Sequence, residues 1–369
     1  DGSTAPTGNE NVAIGSYSLD AATTATQNTA VGSYAGSAAT TASYSTFIGK
    51  NAGDALTTGN QNTALGYSTL SASDDGNNNV AVGNAALGTG NCGDNNTAVG
   101  FNALVATTSG YNTAVGAAAA DALTDGERIT AIGRDALGVA VSQDDCTAVG
   151  YASLDAATSG NQNTAVGSYS LSTTVDGANN SAFGYAALGN GNCGDDNTAI
   201  GQGALAVATG NANTAVGSAA AAAITSGDQN VLAGYAAGDA LTTANYSVAI
   251  GAYALTTEDE GAGNVAIGRS ALQDQNTDTG RNTAVGFEAA KKLTTATDGV
   301  YIGYAAVGNG TATGPYNVVI GKSAGYDLTS GSHNCLIGVD AGTNFTNNTS
   351  NIAIGFGSLD AAAAGENYN

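Results

Sequence analysis

The sequence predicts an all-β fold, a β-solenoid of the β-roll or β-helix kind, with about 21 coils and a 17-residue period. Three observations predict it. A short segment, Asn28-Thr29-Ala30-Val31-Gly32 in one of its copies, recurs from Gly15 to Gly355, 21 copies in all. Successive closing glycines are 17 residues apart, with two spacings of 16 and two of 18. That period is too short for a helix pair and suits one coil whose neighbours stack at the strand spacing of about 4.8 Å. The third observation is that no linker or shift in composition interrupts the copies, so residues 1–369 read as one continuous repeat array.

Each element of the coil follows when positions are counted from the closing glycine as zero. Position −1 is Val, Ile, Leu or Phe except at Ala233, and position −3 is Thr, Val or Ile except at Ser181 and Cys335. β-Branched residues closed by glycine read as a short strand ending in a bend. Position −4 is Asn in 16 copies: Asn11, Asn28, Asn62, Asn79, Asn96, Asn112, Asn163, Asn180, Asn197, Asn213, Asn230, Asn264, Asn282, Asn317, Asn334 and Asn351. Stacked on themselves along the axis, these side chains are expected to form a buried amide ladder.

Position +3 is always Ala, Ser or Thr. Position +4 is Leu in twelve copies, and Gly or Ala in eight. Seven of those eight carry a large residue at +7 instead, namely Leu56, Leu123, Ile224, Leu241, Leu293, Leu328 and Phe345. One interior slot is therefore filled from either of two places, as a chain with a packed core requires, because an empty slot costs a few kcal/mol. Gly36 followed by Ala39 breaks the rule. A second glycine, as at Gly59, Gly76 and Gly160, marks a second corner. Because −3 and −1 share one face of the strand and −2 lies on the other, the β-branched pair is expected to point inward. The residue at −2, Ala in 16 copies, is then expected to point outward. An apolar outer face of that kind predicts close contact with another chain.

Asn11-Val12-Ala13-Ile14-Gly15, Ser247-Val248-Ala249-Ile250-Gly251 and Asn264-Val265-Ala266-Ile267-Gly268 resemble the head repeats of YadA-like trimeric autotransporter adhesins. The longer Asn163-Thr164-Ala165-Val166-Gly167-Ser168-Tyr169-Ser170-Leu171 is similar to repeats of phage tail fibres. The resemblance covers nearly the whole chain. It implies a left-handed β-roll, usually trimeric, in an adhesin head or fibre shaft.

Composition narrows the function. Only 10% of residues are charged, and 30 acidic against 8 basic residues give a net charge of −22. Nucleic-acid partners, which need basic residues, are not expected, nor is membrane insertion. Catalysis is not expected either. His333 is the one histidine, without partners at metal-ligand or triad spacing, and no cofactor is implied. Calcium is the one cation to consider, at Asp74-Asp75, Asp125-Gly126-Glu127, Asp176 and Glu258-Asp259-Glu260. Those groups read rather as solvated turn acids.

Cys92 and Cys193 sit beside the second corner and read as the exposed pair able to link neighbouring chains. Cys146 and Cys335 read as buried thiols, and no disulfide within one chain is expected at this coil spacing. The function expected is an extracellular structural or adhesive fibre element. It is a rigid rod that associates with itself, either as a trimeric head or shaft or end to end as a filament, on a cell surface appendage or virion, with a cell surface or glycan as a further partner. The alternatives are an ice-binding surface, should the Thr/Val rows face outward, and a carbohydrate surface using Tyr67, Tyr151, Tyr185, Tyr235 and Tyr304.

Overall fold

The computed structural model describes residues 8–258, 260–277 and 280–361. Among the described residues the fold is a β-solenoid of 21 three-residue parallel strands with no helix. The chain divides into two compact units, Asp1–Asn180 and Ser181–Asn369. The first holds ten strands, β1 (Val12–Ile14) to β10 (Thr164–Val166), and the second eleven, β11 (Ser181–Phe183) to β21 (Ile352–Ile354).

Within each unit every strand pairs with the next in parallel and in unbroken register, as Thr113 with Thr130 and Val115 with Ile132, or Val248 with Val265 and Ile250 with Ile267. The pairing extends beyond the strands. In the first unit Thr29 N donates to Ser45 O of the following coil at 2.9 Å, and Gly32 N to Ile14 O of the preceding coil at 2.8 Å. Tyr34 N and Leu19 N likewise donate to neighbouring coils at 2.9 and 3.0 Å.

The closing glycines permit this stacking. Their φ values lie between 126° and 143°, where L side chains are rarely found. A Cβ on Gly66 would come within 1.9 Å of the Gly83 carbonyl oxygen. Positions +2 and +4 are left-handed as well. Leu19, Leu70 and Leu137 at +4 have φ of 50°, 49° and 56°, a conformation that costs an ordinary residue about 1–2 kcal/mol.

The inward positions are −4, −2, +3, +4, +7 and +10. In one coil these are Asn62, Ala64, Thr69, Leu70, Ser73 and Gly76, all buried. This corrects the expected orientation of the strand. Ala131 is fully buried, whereas Ile132 beside it is 41% exposed, and the same pattern runs through both units. The reason is steric. A coil of 17 residues encloses little width, and the Leu at +4 or +7 takes most of it. The strand facing that leucine has room only for Ala, so the β-branched pair turns outward.

Where −2 is large, its neighbours shrink. Phe47 is fully buried, and a Cβ on Gly53 or Gly36 would lie 2.4 or 2.7 Å from its ring. The slot left by Gly36 and Ala39 is thus filled by Phe47. In the second unit Gly238 makes room for Leu232, and Gly342 for Leu336.

This exchange generates a test. Phe47→Ala should cost about 3–5 kcal/mol in urea unfolding. Adding Gly36→Leu, at the +4 position where leucine already occurs in twelve coils, should recover most of the loss. A double variant no more stable than Phe47→Ala would show that the two positions do not share one slot.

Candidate functional site

One ladder of polar side chains runs beneath the surface, a second runs along it at a corner, and a third set of rows faces outward. The first ladder is built by the asparagines at −4, of which all but Asn11 are buried. Asn11, in the first coil, is half-buried. The amides do not bond mainly to one another. Asn62 Oδ1 accepts from the backbone N of Asn79 in the next coil at 2.8 Å, and Asn62 Nδ2 donates to the carbonyl of Gly76 at 2.7 Å. In the second unit Asn213 Oδ1 accepts from Asn230 N at 3.0 Å, and its Nδ2 donates to Gly227 O at 2.8 Å. Each side chain therefore satisfies a backbone donor at the strand start and a backbone acceptor at the second corner, both buried.

Substitutions in the ladder are explicable. Ser45 takes the accepting role with Oγ at 3.0 Å from Asn62 N. Gly299 leaves space for Tyr301, since a Cβ there would lie 2.3 Å from the Tyr301 Oη. Burial pushes that phenol's pKa upward.

The second ladder, which the sequence reading missed, lies at −6. Asn60 Oδ1 accepts from Ser43 N, Asn77 Oδ1 from Asn60 N and Asp94 Oδ1 from Asn77 N, at 2.9, 2.8 and 2.7 Å. In the second unit Asn211, Asp228 and Asn245 repeat it. The signal was present as a preference for Asn, Asp or Ser at −6. These acids bond to backbone, and among the described residues no three His, Cys, Asp or Glu side chains gather where they could hold a metal ion.

Of the acids expected to be solvated, Glu258 is instead fully buried. Its Oε1 accepts from Gly261 N at 2.8 Å and Thr277 N at 3.3 Å. It stands at +7, an inward position. Asp259 lies outside the described residues.

The cysteines also require correction. Cys92 and Cys193 are 1% and 2% exposed, because their side chains turn inward at the second corner. Cys92 Sγ lies 3.3 Å from Ser73 Oγ, and burial pushes its pKa up to about 11. Neither thiol can reach a neighbouring chain. Cys146 is buried, and Cys335 at −3 is half-exposed on the outward face. All four are free thiols.

The outward rows are the chemically distinctive surface. They carry no charged residue at −3 or −1 in any copy. Val80, Val115, Val216, Ile250 and Ile302 are 36–41% exposed in the middle of their units. Beside them, at +1 and +2, aromatic side chains pair across adjacent coils. Tyr17 stacks on Tyr34 at 4.9 Å, Phe287 on Tyr304 at 5.5 Å, and Tyr151 and Tyr235 meet Tyr169 and Tyr253 edge-on. These rings engage one another and do not form an open coplanar platform. His333 lies against Tyr316, 5.0 Å between centroids.

The fold and these surfaces define a β-solenoid repeat protein. No protein-family model matches the sequence, and no curated protein does either. Among the described residues no helix is long and apolar enough to cross a membrane.

Two outcomes are expected. Asn213→Ala leaves the Asn230 N–H and the Gly227 carbonyl without partners, at about 1–3 kcal/mol for each. Asn213→Ser should lose less in the same urea titration, because serine keeps an acceptor as Ser45 does. The second concerns pH. Desolvation, then the nearby Asp135 carboxylate, raises the pKa of both Asp121 and Asp155 in the folded state. Arg134 pairs with Asp135 at 3.1 Å and leaves the other two uncompensated. Raised carboxyl groups bind protons more tightly folded than unfolded. Their stabilisation is complete below the unfolded pKa near 4 and is lost as pH rises through the folded values. The thermal midpoint should therefore be higher near pH 4 than at pH 7. Asp121→Asn combined with Asp155→Asn should flatten that difference; an unchanged slope would remove these carboxylates as its source.

Proposed function

We propose that this protein is a rigid structural element, the shaft or head of an extracellular fibre or adhesin, which associates with copies of itself through the outward strand face. The observation that supports this most is the second unit's outward rows. Val231, Val248, Val265, Val300, Val318 and Ile352 form one row, broken by Thr283 and Cys335, and Ile250, Ile267, Ile302, Ile320 and Ile337 the other. At about 4.8 Å per coil and about 7 Å between rows, the eight coils from β14 to β21 present a mainly apolar strip of roughly 300 Å², while Ser181, Thr198 and Thr214 hold the −3 position in the three coils before them. Uncharged strips of that size on a soluble surface mark interaction sites. The contact face is thus the one opposite to the alanines.

Each unit is suited to a structural role because its stiffness comes from regular pairing between coils rather than from a folded core that a partner must order. The resemblance to adhesin head repeats favours the same reading. It supports a setting outside the cell, on an appendage or virion.

Sedimentation of the purified protein should give an oligomer, and Val248→Lys with Val265→Lys should give a 35.5 kDa monomer with an unchanged circular dichroism spectrum. Cys335, the one thiol in the outward rows, reports independently. A maleimide should modify it slowly in the oligomer and quickly in the lysine variant. A monomeric wild-type protein would overturn the proposal.

A further inference from the structure

The outward face of the first unit has a different chemistry. Five successive strands read Thr97-Ala98-Val99, Thr113-Ala114-Val115, Thr130-Ala131-Ile132, Thr147-Ala148-Val149 and Thr164-Ala165-Val166. Their register is unbroken, threonine on threonine and Val or Ile on Val or Ile. Threonines elsewhere in the coil turn their hydroxyls onto the next coil. Thr108, Thr124 and Thr158 Oγ1 donate to backbone carbonyls at 3.1, 3.0 and 3.3 Å. The hydroxyls of Thr97, Thr113, Thr130, Thr147 and Thr164 make no hydrogen bond among the described residues. They are left for whatever lies outside.

The array is a grid. Neighbouring coils repeat at about 4.8 Å, and the hydroxyl and aliphatic rows stand roughly 6.7 Å apart. β-Branched side chains are stiff at χ1, so hydroxyls and methyls hold fixed positions without further ordering. No charged residue interrupts the rows to organise liquid water in its own geometry. A matching partner must be flat, must repeat on the same spacing, and must offer a donor or acceptor at every node.

A tetrahedral water lattice does so. With O–H···O bonds of about 2.75 Å, second-neighbour oxygens lie about 4.5 Å apart, within about 0.3 Å of the coil repeat. A protein surface with matched polar groups at each coil would have to be another periodic array. The second unit's Val and Ile rows do not supply one. We propose that the Thr/Val face of the first unit binds the surface of ice, each threonine hydroxyl taking a lattice oxygen's place and the methyls sitting between. This reading is independent of self-association, which rests on the second unit's rows.

The test uses the full chain, with uptake into a slowly growing ice hemisphere and thermal hysteresis as readouts. The wild-type protein should enter the ice and hold a crystal unchanged below its melting point. Thr130→Tyr with Thr147→Tyr should lose both effects, as should Thr130→Lys with Thr147→Lys, each with circular dichroism showing the fold retained. Val248→Lys with Val265→Lys should keep both effects while abolishing the oligomer. Rejection of the wild-type protein by ice would overturn the proposal, as would undiminished uptake of the threonine variants. Uptake confined to the monomeric lysine variant would also overturn it, because the face would then be covered in the assembled protein.

Discussion

The structure depends on one constraint, the pairing of backbone groups between consecutive coils across the strand spacing. In an ordinary domain such pairing is confined to strands, and loops turn to water. Here the corners pair too, through Tyr34 N, Leu19 N and their equivalents. The closing glycines stand at the closest approach, where even a methyl group would meet the next coil's carbonyl. Once every coil must follow its neighbour this closely, its length and its corners are fixed. The left-handed leucines at +4 are a consequence. Each is locally unfavourable, but it lets the chain turn sharply while its side chain enters the interior, and the neighbouring coils hold it there.

The narrow interior sets the polar chemistry as well. A backbone donor at −4 and a carbonyl at the second corner lie beyond reach of the regular pairing and out of contact with water. Asparagine has an acceptor and a donor on one short side chain and serves both, as Asn62 and Asn213 do. Ser45 replaces only the acceptor. At −6 the geometry is open, so Asp94 and Asp228 can take the place of asparagine and keep their charge at the surface. Much of the acidity of the second corner thus has a structural cause.

The period, the strand, the glycine corner and the exchange between +4 and +7 were legible in the sequence. Each is a repeated local choice, visible by aligning the chain with itself. The direction of the strand was not. β-Branched residues usually mark an interior face and alanine is neutral, so the inward side was assigned to −3 and −1. The contrary signal was present. Phe47, Leu232, Val319 and Leu336 at −2 all belong to coils with glycine at +4, a volume exchange possible only if both positions meet inside. The inward turn of Cys92 was hidden for another reason: it lies in a corner, where one side-chain rotation decides between water and core and no periodicity records it. The burial of Glu258 is recorded by its place at +7, but the run of acids around it points to water.

Reversing the strand relocates the question of function. The positions −4, −2, 0, +3 and +4 or +7 are committed to holding the coil together, and where they vary a neighbouring position changes with them, as Gly53 does beside Phe47 and Gly299 beside Tyr301. The positions −3, −1 and the corners carry no such constraint from the interior. A chain selected solely for solubility would place Lys, Glu or Asn in the outward rows, as edge and surface strands commonly do. These rows instead carry only β-branched or apolar residues apart from Ser181 and Cys335. The composition at −3 differs between the two units, threonine in eight of ten coils of the first and Val or Ile in six of eleven of the second, which begins with Ser181, Thr198 and Thr214. The interior gives no reason for that difference, since −2 is Ala in most coils of both. On the proposed reading, what distinguishes the two faces is what they meet, and the fold holds each row in register for that contact.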